Sequence, residues 1–260
     1  MIGWEGRVEA DRFVAPQRMR ITVPIADLNA APSGPRDRQL LYGAGFEVLE
    51  IHDGHAFGRA VADGYCGYVC AQHLAKRPVP THRVTTFASQ IYSKADFKSA
   101  ESMTLPLGAE VSVIQDVGRF AETAEGFIPK PHLEPTTTQH SDIVVTASKF
   151  LGAPYLWGGN SVFGIDCSGL VQAAFLLAGQ DCPGDSDLQM ASVTATKSNA
   201  QPEAGELFFW KGHVALVADA DHFIHANANH MAVVRENISQ AIERIKRQGD
   251  GEVIARGRLI

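Results

Sequence analysis

The hydrophobic pattern of this 260-residue chain changes near residue 135, and this change constrains the fold more than any other feature. Before it, short β-branched or alternating segments are separated by turn signals such as Asp53-Gly54 and Asp63-Gly64. After it, apolar residues recur first at helical spacing and then in strand-like runs. The pattern predicts an all-β part followed by an α+β domain.

The all-β part carries a weak internal repeat with a period of roughly 55–60 residues. Each copy has a leucine–glycine step before its central strand, at Leu41-Tyr42-Gly43 and at Leu107-Gly108. Each copy also closes on a His-Leu pair, and a proline- and threonine-rich segment typical of a linker follows the second copy. The predicted divisions are a lead-in over 1–20, β-domains over 21–78 and 79–135, and an α+β domain over 136–260.

Composition and charge exclude several classes of function. The formal net charge of −6 argues against a general binder of nucleic acid or anionic membranes, because both need a basic surface. No apolar run approaches the roughly 18 residues of a membrane-spanning helix, and the N-terminal segment lacks the apolar stretch of a secretory signal. We therefore expect a cytoplasmic protein, with a periplasmic location as the alternative.

The four cysteines are expected to be free thiols, since a chain without a secretory signal stays in a reducing compartment. Cys66 and Cys70 could form a metal pair, but no second Cys or His pair with zinc spacing lies near them. We expect no metal and no cofactor.

Cys167 is the candidate nucleophile. It follows Asp166, which has the chemistry of a helix N-cap, and it precedes an apolar run from Leu170 to Leu177 with helical spacing. We predict a strand-free loop and then a helix whose first turn carries the thiol. The positive end of the helix dipole favours the thiolate, and free backbone N–H groups there can stabilise an oxyanion. The alternative is an inert buried cysteine, which is common beside an apolar run.

Two histidines provide a possible base for this thiol. His213 and His225 lie in strand-like segments on either side of a turn near residues 219–221, and their even spacing places both on one face of the predicted hairpin. One imidazole would accept the thiol proton, and the other would hold the first in the required tautomer. Structural histidines are the alternative, as is a metal site that includes His222 and His230. The pattern places no carboxylate beside the pair.

Four sequence blocks together resemble the NlpC/P60 family of cysteine peptidases. The blocks are Tyr155-Leu156-Trp157-Gly158-Gly159, Asp166-Cys167-Ser168-Gly169-Leu170-Val171, Gly212-His213-Val214-Ala215-Leu216-Val217 and Phe223-Ile224-His225-Ala226. The resemblance implies a papain-like α+β fold. It also implies that Cys167 is the nucleophile, His213 the general base and His225 the third polar residue. The two β-domains in front are similar to small bacterial SH3-like barrels.

This combination of domains resembles the subgroup of γ-D-glutamyl-L-diamino-acid endopeptidases. The resemblance implies cleavage of peptidoglycan stem peptides between D-Glu and diaminopimelate, in cell-wall turnover or peptide recycling. It also implies that the substrate needs a free N-terminal L-Ala, whose ammonium an acidic pocket would bind. The residues that match the subgroup's substrate pocket are Tyr155, Asp166, Ser168, Asp185 and Ser186. The resemblance also implies a tyrosine from the SH3-like part, for which Tyr65 fits best and Tyr68 is the alternative.

Plainer roles compete with several of these assignments. Asp166 also fits a simple N-cap, the pair Asp185-Ser186 fits a solvated loop, and Trp157 is better explained by packing. At the level of function, the alternatives are a wall-anchored hydrolase of intact muropeptides and a protein that binds wall peptides without cleaving them.

Overall fold

The structure is a computed structural model that describes residues 12–138, 140, 142–197 and 200–259. The chain divides into two compact units, Met1–Thr137 and Thr138–Ile260. Residues 1–11 of the predicted lead-in lie outside the described residues. Among the described residues, no helix is both long enough and apolar enough to cross a membrane.

From residue 12 onward, the first half of unit 1 is built from strands, apart from one turn of 3-10 helix at Ala71–His73. The strands are β1 (Gln17–Ile21), β2 (Ile25–Asn29), β3 (Arg36–Leu41), β4 (Gly45–His52), β5 (His55–Ala60), β6 (Cys66–Cys70) and β7 (Leu74–Ala75). They form one sheet in the order β3-β2-β6-β5-β4-β1-β7. β1 starts inside the predicted lead-in and pairs with β4, so this β-domain begins before residue 21.

Strand β3 was not predicted, because a charged residue occupies its inward position. Arg38 is only 6% exposed, and its guanidinium donates to the Asp63 carboxylate at 2.7 Å. A buried charge is tolerated when it is paired in this way, but it breaks the apolar alternation that marks a strand in sequence.

The second half of unit 1 repeats this all-β construction and also closes on a turn of 3-10 helix, Lys130–His132. Its strands are β8 (His82–Val84), β9 (Ala88–Tyr92), β10 (Glu101–Pro106), β11 (Glu110–Val111), β12 (Gln115–Val117), β13 (Phe120–Thr123), β14 (Gly126–Pro129) and β15 (Leu133–Pro135). They form a five-stranded sheet, β10-β9-β14-β13-β12, and a three-stranded sheet, β11-β8-β15. A compact apolar core that includes Val84, Ile91 and Ile128 lies between these strands.

The halves of unit 1 meet at the glycine step that both copies of the repeat share. Gly43 and Gly108 have φ angles of 82° and 86°, a left-handed conformation that other residues rarely adopt. A Cβ added to Gly43 would lie 2.1 Å from the carbonyl oxygen of Glu110. The Glu110 N–H donates to the Tyr42 carbonyl at 2.8 Å, so backbone from the second half packs directly on this turn.

Unit 2 combines four described helices with an antiparallel sheet. The helices are α1 (Ile143–Ser148), α2 (Cys167–Leu177), α3 (Ser186–Ser192) and α4 (Ile238–Gln248). The strands are β16 (Asn160–Ser161), β17 (Gly164–Ile165), β18 (Val193–Ala195), β19 (Leu207–Trp210), β20 (His213–Val217), β21 (His222–Asn227), β22 (Ala232–Asn237) and β23 (Ala255–Leu259). The main sheet has the order β18-β23-β19-β20-β21-β22, and β16 pairs with β17.

Three details of unit 2 differ from the sequence prediction. The segment before α2 contains the short β16–β17 ladder instead of a strand-free loop. Helix α3 already begins at Ser186, within the predicted polar loop. The sequence of residues 253–259 predicts a final edge strand, but strand β23 is internal, because β18 pairs with its outer side. Gly257 permits this approach, since an added Cβ would lie 2.3 Å from the Thr194 carbonyl oxygen.

Helix α4 packs on the strands that carry the two candidate histidines. Its buried residues Ile238, Ala241 and Ile245 join an apolar cluster with residues of β19, β20 and β21. The Asn237 side chain caps its first turn by accepting from the Gln240 N–H at 3.2 Å. The apolar contacts fix the rotation of α4 about its axis, and they therefore decide which polar residues of the helix face the sheet.

Candidate active site

Asp166 is the N-cap of helix α2 and also fastens the preceding loop. Its Oδ1 accepts from the Gly169 N–H at 2.7 Å and from the Ser168 hydroxyl at 3.2 Å, while Oδ2 accepts from the Gly158 N–H at 2.9 Å. The carboxylate thus has three donors within the fold. The plainer of the two predicted roles, the N-cap, accounts for its geometry.

The thiol of Cys167 lies at the start of α2 and is 5% exposed. Its sulfur is 4.0 Å from the Gly212 carbonyl oxygen, and the Val214 N–H is directed at it from the strand. Burial, followed by the charge of Asp166, raises the pKa of this thiol to about 12, against the opposing N–H groups of Val214, Ser168 and Cys167 itself. The sequence predicts that the helix end favours the thiolate, but burial outweighs this effect. The thiol therefore needs a base.

The two candidate histidines are in direct contact. The register of the β20–β21 hairpin pairs Leu216 with Ile224 and Val217 with Phe223, which puts His213 and His225 diagonally on one face. His213 Nε2 is 3.1 Å from His225 Nδ1. The hairpin thus forms the imidazole pair that the even spacing predicts.

Cys167 approaches the backbone on both sides of His213. Its contacts are with Gly212 and Val214, the two chain neighbours of that histidine. Among the described residues, no hydrogen bond joins the sulfur to an imidazole nitrogen, because the thiol is directed at the Gly212 carbonyl. Proton transfer to the imidazole requires the thiol to turn away from this carbonyl, and such contacts commonly tighten only when a substrate binds.

A carboxylate lies behind His225, although sequence reasoning placed none there. Glu236 Oε2 is 2.9 Å from His225 Nε2, and Arg244 from α4 donates to both oxygens of Glu236, at 2.9 and 2.7 Å. Asn227 Nδ2 is a second neighbour of the same imidazole nitrogen, at 3.1 Å. Strand alternation could have indicated this carboxylate. Glu236 pairs with Phe223, which lies two positions from His225, so the side chains of Glu236 and His225 share one face of the sheet.

Burial keeps both imidazoles neutral. Burial and then the neighbouring His225 lower the pKa of His213 to about 3, and burial also lowers the pKa of His225 below its usual range. Burial alone would raise the pKa of Glu236, but hydrogen bonds from Arg244 and His225 lower it to about 2. Glu236 is therefore ionised at neutral pH beside two uncharged imidazoles.

The remaining predicted site residues divide between the units. Ser168 is in the first turn of α2, and Tyr155 lies close enough for Cys167 and Asp166 to add to burial in raising the pKa of its hydroxyl to about 12. Asp185 and Ser186 stand at the start of α3. Tyr65 belongs to unit 1, where the Arg38 guanidinium lies 4.9 Å from its ring centre, and its substrate role stays a prediction. Trp157 is 70% exposed, so it does not belong to the buried core.

Gln189, which is not among the predicted substrate-binding residues, connects the start of α3 to helix α2. Its side chain is fully buried and donates to the carbonyls of Ser168 and Pro183, at 3.0 and 2.9 Å. A buried amide with two backbone acceptors fixes the loop that carries Asp185 relative to the turn that carries Cys167.

We expect the stability of unit 2 to fall when the pH drops from 7 to 5. An unfolded imidazole binds a proton below about pH 6.5, whereas His213 and His225 resist protonation in the fold, so acid favours the unfolded chain by roughly 1 kcal/mol per pH unit for each histidine. Below about pH 4.5, Glu236 gains a proton in the unfolded chain but stays ionised in the fold down to about pH 2, which adds to this effect. Urea unfolding can be followed by the helical circular-dichroism signal, because the described α-helices lie in unit 2.

The variant His213→Gln removes one of these groups and should flatten the pH dependence. His222→Gln is the control, since His222 lies partly exposed at the start of β21 with Asp219 as its partner. A His213→Gln protein whose stability falls as steeply as the wild type between pH 7 and 5 would contradict the assignment.

Comparison with known proteins agrees with this geometry. Residues 152–246 match the model of the NlpC/P60 family, and residues 28–74 match the bacterial dipeptidyl-peptidase Sh3 domain. The chain contains an NlpC/P60 domain and a bacterial SH3 domain. The crystal structure of an NlpC/P60 family protein from Bacillus cereus has the same fold, with a TM-score of 0.77 at 19% identity over 93% of this chain and 99% of that chain.

Two curated relatives are similar in sequence. Dipeptidyl-peptidase 6 of Lysinibacillus sphaericus is 32% identical over 110 residues, which are 39% of this chain and 41% of the relative. A gamma-D-glutamyl-L-lysine dipeptidyl-peptidase of Bacillus subtilis is 29% identical over 184 residues, which are 63% of this chain and 60% of the relative. The chain therefore spans less than two thirds of the length of either protein.

The residues that match the NlpC/P60 model include the cysteine, both candidate histidines and the carboxylate behind them. Cys167, His213, His225, Glu236 and Arg244 all lie within the matched residues. The SH3 match covers one of the two predicted SH3-like domains. The recognition of both domain types from sequence motifs is confirmed.

Proposed function

We propose that this chain is a cysteine peptidase that hydrolyses the bond between γ-D-Glu and the diamino acid of peptidoglycan stem peptides. The observation that carries the proposal is a buried thiol at a helix N-terminus, beside the backbone of Gly212 and Val214. These are the chain neighbours of His213, whose imidazole lies 3.1 Å from that of His225. The names of the curated dipeptidyl-peptidase relatives support the choice of substrate. The proposed role is turnover or recycling of cell-wall peptides.

The first step forms a bond between sulfur and the substrate carbonyl carbon. The proton of the Cys167 thiol passes to His213, and the resulting imidazolium later gives it to the leaving amine as the C–N bond breaks. Water, deprotonated by His213, then hydrolyses the thioester and restores the thiol. The thiol and the imidazole are both neutral at rest, so charge develops only as sulfur attacks the carbonyl.

Backbone donors are available for the oxyanion of the tetrahedral intermediate. The N–H groups of Cys167 and Ser168 are directed toward the sulfur, and the Asp166 cap uses the later N–H of Gly169. The oxyanion forms on the carbon bonded to sulfur, so these donors lie at the correct end of the helix. Donors of this kind typically contribute roughly 10²- to 10³-fold to the rate.

The substrate's free ammonium needs an anionic partner in a partly closed pocket, because an unpaired buried charge is costly. Asp185 stands at the start of α3, on the loop that Gln189 ties to the turn after the nucleophile. We therefore propose Asp185 as the acidic residue of unit 2 that binds the N-terminal ammonium.

Incubation with L-Ala-γ-D-Glu-diamino-acid tripeptides, followed by mass spectrometry, tests the function. We expect release of the free diamino acid and of the dipeptide L-Ala-D-Glu, with both L-Lys and diaminopimelate substrates in the panel. Acetylation of the substrate amine should raise KM by roughly tenfold or more, because it removes one charge-assisted hydrogen bond. The variant Asp185→Asn should show the same loss on the free-amine peptide and little further loss on the acetylated one.

The matched control is Asp181→Asn, which removes an exposed carboxylate from the same loop. Equal rates on free and acetylated peptides would contradict the ammonium pocket. Release of peptide from intact cell wall, without cleavage of the free tripeptide, would favour the wall-hydrolase alternative instead.

We propose in addition that residues 79–135 form a second SH3-like domain. Support comes from the parallel construction of the two halves of unit 1. In each half a 3-10 turn leads into a last short strand that pairs antiparallel with the first, β7 with β1 and β15 with β8. The shared glycine step with positive φ is a second correspondence.

A further inference from the structure

The structure assigns a role in this reaction to a residue outside the Cys–His–His set. We infer that Glu236, held by Arg244, is a positioning residue that sets the tautomers of His225 and His213, so that Nδ1 of His213 is the nitrogen that accepts the thiol proton. The inference rests on the proposed peptidase function and deepens it. It follows from a chain of hydrogen bonds in which each partner restricts the next.

The first restriction lies at Glu236. Arg244 forms two hydrogen bonds with its carboxylate, and both side chains are 13% exposed, so the ion pair is largely shielded from solvent. An ionised carboxylate can only accept hydrogen bonds. The nitrogen that lies 2.9 Å from Glu236 Oε2, which is Nε2 of His225, must therefore carry a proton.

The second neighbour of His225 Nε2 does not change this outcome. Asn227 Nδ2 lies 3.1 Å away, and its Oδ1 is used by the His230 N–H at 2.9 Å. If His225 Nε2 accepted from this amide, its lone pair would face the Glu236 carboxylate at hydrogen-bond distance. Repulsion between a lone pair and a full charge outweighs one neutral hydrogen bond, so the proton belongs on Nε2.

The next two restrictions follow from the chemistry of neutral imidazole, which has one protonated and one unprotonated nitrogen. With Nε2 protonated, His225 presents an unprotonated Nδ1 to His213 Nε2 at 3.1 Å. His213 Nε2 must then be the donor of that hydrogen bond. The remaining nitrogen of His213, Nδ1, keeps a free lone pair and can act as the base.

The elements that position Glu236 and Arg244 are separate from the helix that carries the nucleophile. Glu236 is at the end of β22, and Arg244 is brought to it by α4, whose rotation is fixed by Ile238, Ala241 and Ile245 in the apolar core. When His213 gains the thiol proton, the Glu236 charge lies one imidazole away and stabilises the imidazolium. Without the carboxylate, both tautomers of His225 become available. In the second tautomer, Nδ1 of His225 is protonated and donates to Nε2 of His213. The proton of His213 then lies on its own Nδ1, which can no longer accept the thiol proton.

Nitrogen-15 spectra of histidine-labelled full-length protein test the inference, because they distinguish protonated from unprotonated ring nitrogens. In the wild type we expect His213 and His225 to be protonated on Nε2 alone at pH 7. In Glu236→Gln we expect mixed tautomers at both residues, and kcat should fall by roughly 10- to 100-fold with KM nearly unchanged, the scale typical of groups that orient a functional imidazole. Glu236→Asp should restore the wild-type tautomers in part.

Glu243→Gln is the matched control, since it removes a carboxylate from the exposed side of the same helix and should change neither readout. A proton on Nδ1 of His213 in the wild type would overturn the inference, whether or not Glu236→Gln folds. So would a Glu236→Gln protein with unchanged spectra. If no peptide is cleaved, the peptidase proposal fails while the spectra still decide the tautomers.

Discussion

Replacement of Cys167 by alanine is expected to lower the rate of tripeptide hydrolysis by roughly 10⁴-fold or more, because in the proposed mechanism the sulfur forms the covalent bond on which both steps depend. The thiol is almost fully buried, so its loss leaves a small cavity that costs about 1 kcal/mol of unfolding free energy. The fold and the peptide affinity should therefore survive. Product formation by mass spectrometry and binding of uncleaved tripeptide by calorimetry measure the two effects separately.

Cys182→Ala is a close control for this variant. Cys182 is also buried, and it directs its sulfur at the Pro183 carbonyl at 3.4 Å, away from the imidazole pair. It should keep wild-type turnover. Unchanged hydrolysis in Cys167→Ala would end the thiol mechanism, and tight peptide binding without hydrolysis by the wild type would support the binding-protein alternative.

Replacement of His213 by glutamine is expected to lower kcat by roughly 10³-fold or more, since the buried thiol then has no base. Burial raises the pKa of Cys167 to about 12, so at neutral pH very little thiolate forms without proton transfer. The variant should therefore gain activity steadily as the pH rises from 7 to 10. The measurement is kcat against pH for the variant and the wild type.

The wild type should behave differently at the acid end of this profile. Burial lowers the pKa of His213 to about 3, so the imidazole stays unprotonated and able to accept a proton down to about pH 5. We expect kcat/KM to stay nearly constant between pH 7 and 5 wherever the protein is folded. A fall of kcat/KM centred on the usual pKa of an imidazole would contradict this. The control is His222→Gln, on the partly exposed start of β21, which should match the wild type.

The burial of the site explains why the sequence argument about the thiol was incomplete. A cysteine after an N-cap predicts a helix end and therefore a lowered thiol pKa. In the structure the N–H groups of Ser168 and Val214 do lower the pKa of the thiol, but the opposing effect of desolvation is larger, since Cys167 is only 5% exposed. Desolvation depends on every element packed around the sulfur, and no local pattern encodes it.

Local chemistry alone determined a large part of this protein. The N-cap at Asp166, the α2 helix behind it and the shared face of His213 and His225 follow from residue type and spacing, because caps and strand alternation act over a few residues. The glycine step of the β-repeat is local for the same reason, since a positive φ is a property of single residues.

Tertiary structure alone decided the Glu236–Arg244 pair behind His225 and the buried pair of Arg38 in β3 with Asp63 in the turn between β5 and β6. In each pair the partners come from different elements, and sequence patterns contain no distance between elements. Charged residues at such positions look like solvent-facing ones until packing removes the solvent. The sequence therefore determined which groups could perform the chemistry, and the packing of α4 and the sheet decided which of them are neutral, paired and held in one tautomer.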